Sequence, residues 1–311
     1  MFIDFSPTSE STAMNFIKLA FNLWNTVLQY CYKTLRINPM KWGSGKTTLL
    51  SQVLSGRVES VIIAVATGLL ILVVVVGVLR EGGHIISEKG QPYGVISLML
   101  RFFICAGLIR AYLFIASTIM DVFTSAINGL GIGDGTKGFG LVNPDATSVL
   151  PSSQNNTFWQ NLLDWATEPL QLGIIEMLGL IYLLIIAVCA FIVFFKVYGR
   201  YFKVIIAIII APIGLALYAS PMTEQQAKKF LFFLVKLGAE GLIMALILIL
   251  YDKFIGMGKA IIPDFISALV GSNDGSSLVR NYAAYMISQI FFCILLVTLL
   301  SAAEKLADEL L

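Results

Sequence analysis

Lys236 and Glu240 stand four residues apart in an otherwise apolar run, FLFFLVKLGAEGLIMALILIL, so a helix there puts an ammonium and a carboxylate on one face. Arg101, Arg110 and Glu176 interrupt other apolar runs. Charge at bilayer depth is costly, so such groups either join helices as ion pairs or line a polar path between helices or subunits. The spacing allows Lys236 to pair with Glu240, or Glu240 to pair with Arg110 across helices. No His/Asp/Ser set or paired carboxylates accompany them, and the sequence predicts no enzyme chemistry.

A second group has a different flavour. Gly43-Ser44-Gly45-Lys46-Thr47-Thr48 looks like the end of a phosphate-binding loop, in which backbone N–H groups wrap phosphates and the Lys and Thr complete the site. The loop needs its first glycine at position 40, where Met40 stands, and no hydrophobic strand precedes it. The later glycine run, Gly129 to Gly140, follows a membrane helix rather than a strand and fails on the same ground. The four cysteines (Cys31, Cys105, Cys189, Cys293) are isolated and His84 is the only histidine, which argues against a disulfide framework or a zinc site. No cofactor or metal is expected. A net charge of +2 offers no strongly basic surface for nucleic acid.

The elements that must position these residues are membrane helices. Hydrophobic residues make up 58% of the 311, charged ones 13%, where a soluble domain carries roughly a quarter charged. Mean hydropathy is +0.85. About 20 apolar helical residues cross a bilayer, and six stretches qualify: 61–79, 95–120, 174–195, 204–219, 230–250 and 283–303. Backbone groups in lipid must be satisfied within the segment, so all six read as helices rather than barrel strands. Pro212, in Ala211-Pro212, removes one hydrogen bond and predicts a kink in the fourth. Thr223 and Gln226 have the spacing of a capping box at the start of the fifth. Residues 254–270, broken by Gly and Pro263, read as an interfacial or re-entrant element.

Residues 13–37 form a helix of another kind. Asn15, Lys18, Asn22, Asn25, Gln29, Lys33 and Arg36 draw one narrow polar stripe on a largely apolar cylinder. An interfacial helix or one packed on neighbouring subunits fits that pattern, and docking on the same chain is the plainer alternative. The expected organisation is an amphipathic N-terminal region (1–57), helices one and two (58–120), a polar external loop (121–173), helices three to six (174–303) and a short charged tail (304–311). Phe158 opens a short amphipathic helix late in that loop. No cleavable signal peptide is expected at the N-terminus. Basic residues in the short loops, above all KVYGRYFK at 196–203, place those loops inside and the N-terminus outside, although the basic residues of 1–57 pull the other way.

This order of elements resembles the TrbL/VirB-type polytopic membrane subunit of type IV secretion and conjugation machines. The local carriers are Ala211-Pro212 and the following Pro221-x-Thr223. The resemblance implies a non-catalytic scaffold or channel component in the inner (cytoplasmic) membrane. It implies a homo-oligomer, plausibly a ring, that works with lipids, other secretion subunits and partner ATPases on translocated DNA or protein. A small-molecule secondary transporter and a holin-like pore are the competing readings. Transporter folds often repeat their broken helices in two halves, and only Pro212 marks such a break here.

The absence of a nucleotide site has a direct test. Lys46→Ala should leave membrane insertion and any transfer activity within about twofold of the parent, because no phosphate depends on that ammonium. A micromolar ATP affinity that vanishes in this variant would contradict the reading.

Overall fold

A computed structural model of the protein describes residues 9–43, 48–55, 57–87, 93–130, 158–270 and 278–310. Among these residues the ordered elements are all helical. They are α1 (Ser9–Leu35), α2 (Leu49–Leu54), α3 (Arg57–Ser87), α4 (Tyr93–Arg110), α5 (Tyr112–Gly129), α6 (Phe158–Ala216), α7 (Glu224–Val270) and α8 (Leu278–Leu310), with short 3-10 turns at Pro39–Lys41 and Leu217–Ala219. Four helical stretches are long and apolar enough to cross a membrane, and a fifth if the bent pair α4–α5 counts as one. The described residues are therefore all-α and suited to the bilayer, with fewer separate crossing helices among them than the six expected.

Three differences account for that number. The stretches at 174–195 and 204–219 are one helix: Glu176–Ala219 is a single apolar unit of 44 residues, about 66 Å at 1.5 Å per residue. Residues 196–203, read as a compact basic turn, continue that helix, because nothing in KVYGRYFK breaks it. Pro212 does not end it either. Helical geometry persists to Ala216, and the 3-10 turn that closes it comes after the proline. The expected helix at 95–120 is in turn divided at Ala111, where the axis bends by 64°. Ala111 sits at φ −93°, ψ 7°, and the bend lets both Ile109 and Tyr112 enter the core while Arg110 stays exposed. Finally, 254–270 continues α7 to Val270 rather than forming a broken re-entrant element.

The external loop is also shorter at its start than expected, because 121–129 completes α5. The rest of it, 131–157, lies outside the described residues. The helix expected from Phe158 does begin there, but it runs on into α6 without a break.

The chain divides into two compact units. Unit 1 takes residues 1–34, 132–197 and 245–302; unit 2 takes 35–131, 198–244 and 303–311. In unit 1, α1 turns its apolar stripe inward: Ile17, Ala20, Phe21, Trp24, Leu28 and Cys31 are all buried. Trp24 meets Tyr251 of α7 edge-on, ring centroids 6.4 Å apart. The plainer alternative for this helix is the observed one. It docks on its own chain.

Unit 2 has a core of Ala66 and Leu70 from α3, Cys105 and Ile109 from α4, Ala116 and Met120 from α5, and Ile208, Ala211 and Leu215 from α6. The segment that follows α1 is tied firmly into this unit. Asn38 caps the first 3-10 turn by accepting from Met40 N at 2.8 Å, and its Nδ2 donates to Asp121 of α5 at 2.7 Å. Lys41 Nζ reaches the same carboxylate at 3.0 Å. Tyr201 Oη donates to the Ile37 carbonyl at 2.6 Å, and Trp42 packs against the rings of Tyr198 and Tyr201.

The end of α6 and the start of α7 form an antiparallel hairpin. Thr223 stands at its turn, as the sequence indicated, but its hydroxyl donates back to the Leu217 carbonyl and so ties down the 3-10 turn. Near the turn, Gly214 leaves room for the ring of Phe230, and a Cβ there would sit 2.5 Å from Phe230 Cδ1. The same test at Gly199 meets nothing within 4 Å. Gly214→Ala should therefore destabilise the protein by about 1–3 kcal/mol by overpacking the hairpin. Gly199→Ala should be neutral or stabilising by about 0.5–1 kcal/mol, because it removes only chain entropy. Thermal unfolding of the two variants in one detergent compares them directly, and equal midpoints would refute this packing.

Candidate functional site

Farther from its turn, the α6–α7 hairpin carries most of the chain's interior charge. Arg200 of α6 is 3% exposed. Its Nε donates to the Leu237 carbonyl of α7 at 3.0 Å, and its guanidinium lies flat on Gly241, where any Cβ would overlap it. Glu240, on the adjoining position of α7, is equally buried. Lys203, one turn along α6 from Arg200, brings Nζ within 4.0 Å of the Glu240 carboxylate.

The last turns of α8 complete the group from a third helix. Lys203 Nζ also contacts Glu304 at 2.8 Å, and Lys236 of α7 pairs with Asp308. Each helix contributes two charged side chains one turn apart: 200 and 203, 236 and 240, 304 and 308. Among the described residues three cations face three carboxylates, so their charges balance. Neutrality is what makes it tolerable there, since each ion alone would carry several kcal/mol of desolvation.

A second ionic site lies toward the hairpin turn. Arg101 Nη1 of α4 meets Glu224 Oε2 at 2.8 Å, and the same carboxylate takes Lys228 at 2.7 Å through its other oxygen. Glu224 is the first residue of α7, where the positive end of the helix dipole also favours a carboxylate.

Of the residues singled out from the sequence, Lys236 and Glu240 do enter one cluster, but not as partners of each other. Each finds a better-placed opposite charge across a helix interface, Asp308 and Lys203 respectively. Glu240 does not meet Arg110, which stands exposed at the α4–α5 bend. Glu176, in unit 1, is half-buried, and no ion pair among the described residues involves it or Arg110. Pro212 lies between the cluster and the hairpin turn and touches no charge.

Lys46 and its neighbours at 44–47 lie outside the described residues. Thr48, the last residue of that phosphate-loop look-alike, spends its hydroxyl on capping α2: it accepts from Ser51 N at 3.1 Å, and Ser51 Oγ accepts in return from Thr48 N.

Sequence reasoning missed Arg200 and Lys203 by assigning them to a loop, and Glu304 and Asp308 by assigning them to a solvated tail. The signal was present as a shared spacing of three or four residues in all three segments. No protein-family model matches the chain, and no curated protein or solved structure matches it. The cluster has to be read from its own chemistry. It can hold three helices in register, and it presents partly exposed ammonium and carboxylate groups at one rim.

Burial ranks its members. Arg200→Ala would remove the buried hydrogen bond to the Leu237 carbonyl and leave a void on Gly241, a loss of about 2–4 kcal/mol. Lys203→Ala removes a side chain that is 45% exposed, and should cost no more than about 1 kcal/mol. Chemical or thermal unfolding in detergent measures both, and a Lys203→Ala loss equal to that of Arg200→Ala would overturn the ranking.

Proposed function

We propose that this protein is an oligomeric membrane scaffold or channel subunit of a type IV secretion or conjugative DNA-transfer apparatus, seated in the cytoplasmic membrane. It carries no catalytic step itself and works beside other secretion-system subunits and energy-supplying ATPases.

One observation supports the oligomeric reading above the others. The membrane-crossing window of α3 is only 22% buried within a single chain, against 50% for that of α7. Val61, Val65, Ile71, Leu72, Val75 and Leu79 all stand exposed along it. Gly68, on the same helix, has nothing within 4 Å of the position a Cβ would take. A long apolar helix with small residues on an open face suits close packing against another membrane helix, because in lipid it is van der Waals fit that drives association. The polar stripe along 13–37, the continuous 44-residue apolar helix and the neutral ionic cluster are all consistent with a static framework that several copies share.

Native mass spectrometry of the protein in lipid discs tests the reading. A defined assembly of several copies, reduced when bulky polar residues replace Gly68 and Leu72, is expected. A strictly monomeric parent protein would sink it.

A further inference from the structure

The outward face of α1 has no explanation in the packing of one chain. Its inward face, Ile17 through Tyr32, is buried at 0–4% exposure over about 22 Å of helix. Its contact, Tyr251, belongs to one of the membrane-crossing helices. The opposite face exposes Asn15, Lys18, Asn22, Thr26, Gln29 and Lys33, with Leu19 and Tyr30 exposed along one edge. A helix packed on membrane helices cannot turn amides and ammonium groups toward acyl chains without a large penalty. This face has to meet water or polar groups.

Charge along the stripe has one sign. From Asn15 to Arg36 there is no acidic residue, and Lys18 and Lys33 bracket the uncharged Asn22, Thr26 and Gln29. The stripe lies on the outside of a single copy, so enclosing it takes neighbouring copies. We infer that the α1 stripe forms the wall of a water-filled path between copies of this chain, a path that favours anions because each copy adds two ammonium groups to it. This inference rests on the oligomeric reading above and assigns it a lining. Rings of like charge attract counter-charged solutes and repel the others.

The chain suits cysteine labelling, since all four native cysteines are buried. Asn22→Cys and Thr26→Cys sample the stripe. Leu184→Cys, on the apolar part of α6 and 59% exposed, samples a lipid-facing position. In proteoliposomes, membrane-impermeant thiol reagents should label the two stripe positions at least ~10-fold faster than Leu184→Cys, since only ionised thiols in water react. At Thr26→Cys an anionic reagent should outpace a cationic one by roughly threefold after correction for their rates on a free thiol, and the order should reverse when Lys18 and Lys33 are both changed to Glu.

Stripe positions that label no faster than Leu184→Cys, in protein that native mass spectrometry shows to be oligomeric, would overturn the inference and leave the oligomeric reading standing. A monomer overturns both. A cationic reagent that reacts faster in the parent background removes the anion preference.

Discussion

The buried guanidinium of Arg200 constrains more of unit 2 than any other single group. Removing such an ion from water costs several kcal/mol, and the chain recovers this only with close, well-directed partners. A carbonyl at Leu237 and the bare backbone at Gly241 supply them, both from one face of α7. Meeting both of these sets the register of α6 on α7 to within a residue. Once it is set, Gly214 falls opposite Phe230, and Gly238, on another face of α7, admits Phe123 of α5. Small residues stand wherever a large neighbour must approach the backbone. Such contacts suit a lipid setting, where the hydrophobic effect no longer separates right packing from wrong.

Charge is tiered along unit 2. Between Lys203 and the 3-10 turn that follows α6, thirteen residues (204–216) carry none, a rise of about 20 Å. The antiparallel partner places Glu224 at one end of the same interval and Glu240 at the other. Arg101 and Lys228 gather at the first tier, and Arg200, Lys203, Lys236, Glu304 and Asp308 at the second.

Much of this was legible in the residues. The all-helical, bilayer-suited character followed from composition, and most of the polar stripe of α1 followed from its three-to-four spacing, although Asn25 turns its Oδ1 inward and Thr26 stands exposed beside it. The turn at Thr223 was also placed, although its hydroxyl goes to the Leu217 carbonyl rather than into a capping box. What failed has a common cause: local signals were read without the partners that override them. KVYGRYFK carries the charge of a loop, yet Arg200 and Lys203 are satisfied by α7 and α8, so the helix has no reason to stop there. The Lys236–Glu240 spacing is right for a local pair, and only the fold shows that Asp308 and Lys203 stand closer. At Ala111, no glycine or proline announces the bend; the core on either side imposes it.

The meeting of the last turn of α8 with α7 is the least anticipated feature of this account and the most directly measurable. Lys236→Cys and Asp308→Cys in one chain place two thiols where an ion pair now stands. Mild oxidation of membranes should join them within the monomer, in far higher yield than Lys229→Cys with Asp308→Cys. Equal yields, or no cross-link while both thiols remain open to a small maleimide, would contradict the three-helix cluster.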